Sequence, residues 1–133
     1  MVAGGRKIIL VVDDNDDVRR LVKKVLEISG YLVKEATDGE GALRLVEEMV
    51  PDLVLMDIRL PGRFDGLATT SRLKGDARLQ RVPIVALTAS VLERDRQQAL
   101  AVGCSGFIPK PIDISTLPGL VETFITRGAI APR

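Results

Sequence analysis

KIILVVDDNDDVRRLVKKVLEISG, residues 7–30, changes its periodicity halfway along. After Lys7 the first segment is unbroken aliphatic sequence to Val12, the pattern of a strand buried on both faces. From Val18 onward the apolar positions fall three and four apart, at Leu21, Val22, Val25 and Leu26, and so form one stripe on a helix. Ser29-Gly30 supplies the stop. A strand with two apolar faces followed by an amphipathic helix is half of a βαβ unit, and it needs neighbours that cover both sides.

The unit recurs along the chain. LVKEA (32–36), DLVLMD (52–57), PIVALT (83–88) and GFIP (106–109) read as four further strands. Helix two is expected over about 40–49, with Ala42, Leu43, Val46 and Met49 inward. The last helix uses Leu117, Leu120, Val121, Phe124 and Ile125. Its Pro118 lies in the first turn after Ser115 or Thr116, where a missing N–H costs little. Segment four, SVLERDRQQALAVG (90–103), is polar from Glu93 to Gln98 and has little to bury. Its hold on the sheet is expected to be weaker than that of helix one, which makes it a candidate switch.

The fold class is therefore α/β, a doubly wound five-stranded parallel sheet with helices on both faces. In such a sheet the site lies at the carboxyl ends of the strands, near the reversal of strand order. Asp13 and Asp14, Asp57, Thr88 and Lys110 fall at or just after the ends of strands one, three, four and five.

The 133 residues suit one domain, expected over 1–126 with a frayed tail over 127–133. Nineteen basic against 18 acidic residues leave a net charge of +1, so the chain lacks the footprint of a nucleic-acid binder or an anionic-membrane binder. Cys104 stands alone, which excludes an internal disulfide. The apolar run before Asp13 is too short for a signal peptide or a membrane span, and a reducing, cytoplasmic location is expected. With no His in the sequence, His-based general bases, Ser-His-Asp triads and His metal sites are excluded.

The acids at 13, 14, 16 and 17 divide into two pairs. Asp16 and Asp17 belong to the first turn of helix one, where negative charge meets the positive end of the macrodipole. Asp14 or Asn15 is the candidate cap. Two carboxylates about 4 Å apart repel by roughly 4 kcal/mol at an effective dielectric of about 20. Adding Asp57 to Asp13 and Asp14 would push their pKa values up unless a cation were bound. Oxygen ligands without His or Cys suit magnesium, which commonly joins carboxylates to a phosphate. Thr88 as a hydroxyl donor and Lys110 as a point charge suit phosphoryl oxygens. Together these residues describe phosphoryl transfer onto a carboxylate.

VVDDNDD, LVLMDIRLPGRFDG, IVALTA and GFIPKPID, in that order, closely resemble the receiver domains of two-component response regulators, from about Lys7 to Ile125. The resemblance implies a flavodoxin-like strand order 2-1-3-4-5 and Asp57 as phosphoacceptor. It implies Asp13, Asp14, Asp57 and the backbone carbonyl of Arg59 around Mg2+, Thr88 and Lys110 on the phosphoryl group, and a cis bond from Lys110 to Pro111. Thr88 and Phe107 correspond to the switch pair. Phe107 has no phenol hydroxyl, so any readout through it must be by packing. The implied partners are a histidine kinase or histidine phosphotransfer protein as donor and a downstream effector protein, with no direct nucleic acid and no membrane. The output face is helix four, strand five and helix five, through which a homodimer is a further expectation. The resemblance implies a signalling domain, not an enzyme acting on other substrates.

Two other readings compete. A small Mg-dependent aspartyl-phosphate phosphatase or phosphotransferase generally places a second Asp two residues beyond the nucleophile, and Arg59 stands there. A flavin carrier would need a phosphate-cradling turn after strand one and aromatic residues for the ring, but that turn is DDNDD and the chain has one Tyr and no Trp. The loop LPGRFDG holds one residue more than the usual spacing between Pro61 and Asp65-Gly66, with Arg63 or Phe64 as the extra. Asp65 is expected to cap helix three.

Overall fold

The structure, a computed structural model, describes residues 5–127. Five strands, β1 (Ile8–Val12), β2 (Leu32–Ala36), β3 (Leu53–Asp57), β4 (Ile84–Thr88) and β5 (Gly106–Pro109), form one parallel sheet in the order β2-β1-β3-β4-β5. Five helices connect or follow them: α1 (Asp16–Ile28), α2 (Gly39–Glu48), α3 (Gly66–Lys74), α4 (Glu93–Val102) and α5 (Leu117–Arg127). A short 3-10 turn, Ala77–Leu79, precedes β4 and was not expected from the sequence. The tail beyond Arg127 lies outside the described residues.

Alternation along each strand divides the core in two. Leu10, Val12, Val54, Met56, Ile84 and Ala86 face α2, α3 and α4, meeting Ala42, Val46, Leu73 and Ala99. Ile9, Val11, Leu55, Val85 and Leu87 face the other way, against Val22 and Leu26 of α1 and Leu117, Val121 and Phe124 of α5. β3 and β4 are buried at all five positions, which is why their sequence shows no polar alternation.

The helix ends follow local chemistry. Asn15 caps α1 by accepting the Val18 N–H at 3.0 Å, and Asp65 caps α3 by accepting the Ala68 N–H at 2.8 Å. After Ser29, Gly30 takes φ +101°, and the Tyr31 N–H returns to the Leu26 carbonyl. Two stripe assignments change. Leu21 is 39% exposed, and Met49 is the extended residue that ends α2 while Leu45 packs inward instead. The helix simply stops one residue before Met49 can complete its turn.

Candidate functional site

Parallel strands bring their carboxyl ends to one edge, and neighbours in the sheet become neighbours in the site. β1 and β3 are adjacent, so Asp13, just past Val12, comes beside Asp57, the last residue of β3. Carboxylate oxygens of Asp13, Asp14 and Asp57 lie within 4.8 Å of one another. Asp13 is fully buried, Asp57 is buried and Asp14 is exposed. The predicted triad is therefore assembled across 44 residues of chain, with one member open to solvent.

Lys110 reaches the same point from the end of β5. Its Nζ lies 2.8 Å from Asp13 Oδ2 and 3.4 Å from Asp57 Oδ2. Its backbone N–H donates to the Thr88 carbonyl at 2.9 Å, and its bond to Pro111 is cis. Burial works against the ammonium, but the hydrogen bond to Asp13 and the charges of Asp57 and Asp13 hold the Lys110 pKa above its usual range. The Asp57 pKa is raised, first by burial and further by the charge of Asp13. The Arg59 N–H, bonded to Asp57 Oδ1 at 2.9 Å, and Lys110 act in the opposite sense.

One cation against three acids leaves the cluster short of positive charge. Asp13 Oδ2 is buried, with Lys110 Nζ at 2.8 Å as its side-chain partner among the described residues. An all-oxygen donor set of three converging carboxylates, with a single ammonium beside them, fits a small divalent cation. The loop after β3 closes over this edge through a bond from the Gly66 N–H to the Ile58 carbonyl at 3.2 Å. A Cβ on Gly66 would stand 2.1 Å from the Asp57 carbonyl oxygen, so only glycine lets α3 start there. The extra loop residue is accommodated with Phe64 half-buried and the Arg72 guanidinium 4.2 Å above its ring.

Thr88 is buried, and its Oγ1 accepts the Ser90 N–H at 2.9 Å. Phe107 is half-buried against the α2-α3-α4 side of the core, with Arg96 5.3 Å from its ring centre. Thr88, Ser90, Arg96, Phe107 and Lys110 line a cleft of about 320 Å³.

A family model described as the response regulator receiver domain matches residues 9–122. The chain belongs to the response regulator receiver family. This receiver is 38% identical over 117 residues to the polar-differentiation response regulator DivK of Brucella ovis, covering 88% of this chain and 92% of that one. It is 34% identical to the receiver domain of a sensor histidine kinase of Pseudomonas aeruginosa solved with a magnesium ion coordinated in its active-site cleft. That match has a TM-score of 0.84 and covers 92% of this chain and 99% of that one. The chemotaxis response regulator CheY4 of Vibrio cholerae is 27% identical with a TM-score of 0.84, covering 88% of this chain and 97% of that one. Receiver domains are signalling domains of two-component systems and hold magnesium at an acidic pocket. Both competing readings lose ground to this family match; the strand order and acidic edge are those the resemblance implies.

Sequence reasoning gave three nearby residues no role. Arg19 lies with its side chain 11% exposed, bonded to the Asp13 carbonyl, and Asp95 and Arg96 meet Ser90 and Phe107. An Arg beside an apolar stripe, with Glu35 on a facing strand, is the only signal that could have found the first of them.

Proposed function

We propose that this receiver takes a phosphoryl group onto Asp57 from a phosphohistidine on a partner protein. The observation that carries it is the meeting of Asp13, Asp14 and Asp57 with Lys110 at one strand edge. Asp13, Asp14, Asp57 and the Arg59 carbonyl hold Mg2+, which when bound neutralises carboxylate and phosphoryl charge. An Asp57 carboxylate oxygen attacks phosphorus in line. The P–N bond to the donor imidazole breaks, the imidazole leaves with the bond pair, and Asp57 becomes an acyl phosphate. Lys110 and the Thr88 hydroxyl bind the phosphoryl oxygens.

The charge added at Asp57 draws Thr88 toward it and frees space into which Phe107 turns. The surface of α4, β5 and α5 thereby changes and is read by an effector or a second copy of the chain. The donor is a histidine kinase or histidine phosphotransfer protein, the setting is the cytoplasm, and the domain acts on no other substrate. Among the described residues no helix is long and apolar enough to cross a membrane.

Incubation with acetyl phosphate and Mg2+, followed by intact mass, is expected to add one phosphoryl group, with acetate as the leaving group. Asp57→Asn should take up none, and omission of Mg2+ should sharply slow the parent. Equal labelling of parent and Asp57→Asn would refute the assignment.

A further inference from the structure

The carbonyl of Asp13 belongs to the peptide that joins the two acids at the end of β1. Arg19 Nη1 donates to it at 2.7 Å. The Asp13 N–H donates to the Ala36 carbonyl at 3.1 Å, and Asp13 Oδ1 accepts the Asn15 N–H at 2.9 Å. Because the peptide is planar, fixing that carbonyl also fixes the Asp14 amide and the position of the Cα from which its side chain departs. Asp14 is exposed, so the backbone has to do this aiming.

Arg19 is itself held. Its Nε donates to Glu35 Oε1 at 3.2 Å, its Nη2 bonds Asp16, and Glu35 Oε2 lies 3.5 Å from Lys23 Nζ. Glu35 sits on β2 opposite Val11 of β1, so one guanidinium joins α1, the edge strand and the turn between the acids. Three acceptors in three directions match the rigid fork of Arg and not the point charge of Lys.

We propose that Arg19 is a positioning residue for the metal pair: it sets the aim of Asp13 and Asp14 by clamping the peptide between them. The inference rests on the reading that these acids hold Mg2+. Charge and position make opposite predictions here. As a charge, Arg19 repels a divalent cation, and its loss would tighten Mg2+ binding. As a clamp, its loss weakens binding even when the charge is kept.

The test is Mg2+ titration of the full chain followed by NMR amide shifts, on the parent, Arg19→Lys and Arg19→Gln. Both variants are expected to bind Mg2+ about tenfold more weakly, the usual scale for residues that orient metal ligands. A Lys variant within about twofold of the parent, or a Gln variant that binds more tightly, overturns the inference. A purely structural Arg19 would lower the unfolding midpoint and leave the Mg2+ Kd of the folded protein alone. If the Arg19 variants fail to fold, Glu35→Asp keeps the charge and shortens one arm. It is expected to weaken binding, by less than is expected of the Arg19 variants, and an unchanged Kd overturns the inference. If the parent itself takes up no Mg2+, the reading of the acids fails. If the parent binds and Arg19→Lys binds equally, only the clamp fails.

Discussion

Asp57 carries its charge where the fold disfavours it. Burial first, and then the charge of Asp13, raise its pKa above the ordinary carboxylate range, against the pull of the Arg59 N–H and Lys110. The folded state therefore holds this proton more tightly than the unfolded chain does. Stability falls as pH rises from the ordinary carboxylate pKa through the raised one, and the loss persists at neutral pH. Asp57→Asn removes that charge while Lys110 keeps Asp13 as its partner at 2.8 Å. In urea unfolding without Mg2+, the variant is expected to be more stable than the parent at pH 7. Its advantage should shrink as pH falls through the raised Asp57 pKa, where the parent also takes up this proton. A stability difference independent of pH would contradict this account. The identity of Asp57 as the third acid was legible because a charge at the end of an unbroken apolar strand has no packing reason to be there. The size of its burial was not, since only the neighbouring strands and the loop to Gly66 exclude the water.

At the scale of elements, α4 stands apart. Its only buried residue is Ala99, whereas α1 buries Val22 and Leu26 and α5 buries Leu117, Val121 and Phe124. Its first turn is held through Ser90, whose Oγ accepts the Leu92 N–H at 3.1 Å and donates to Asp95. Ser90 in turn leans on Thr88 through its own N–H at 2.9 Å. A movement of Thr88 would thus reach α4 through the three hydrogen bonds of Ser90. Amide exchange across residues 90–102 is expected to be faster than in α1, and to change when beryllofluoride and Mg2+ occupy the site. Unchanged protection in α4 would remove the coupling. The polar run Glu93 to Gln98 revealed the weak attachment in the sequence, because a helix without an apolar stripe has little to bury. The link through Ser90 was not visible, because its spacing from Thr88 places it beside the cleft but does not show which groups its hydroxyl bonds.

The whole molecule is tied together at the edge where the acids meet. A cation bound by residues at the ends of β1 and β3 binds the folded state and not the unfolded chain. It stabilises by RT ln(1 + [L]/Kd), about 2.7 kcal/mol at a hundred times Kd. Mg2+ is expected to raise the thermal midpoint of the parent and to have much less effect on Asp13→Asn, in which a ligand and a repelling charge are both lost. Calorimetry with and without Mg2+ checks this. Equal shifts in the two proteins would mean that the ion acts elsewhere.

The sequence by itself determined the strands, the helices, the layering and the set of acids. These depend on periodicity and on residue chemistry, and both are local properties of the chain. Its one uncertain stretch, the loop from Pro61 to Asp65, was decided by Phe64 packing beneath Arg72, a contact between segments that spacing cannot show. Tertiary structure alone decided that Arg19 turns inward to Asp13 and Glu35 and that Lys110 lies nearer Asp13 than Asp57. It did so because parallel pairing sets distant residues side by side, and the direction of a long charged side chain is chosen by the partners it finds there.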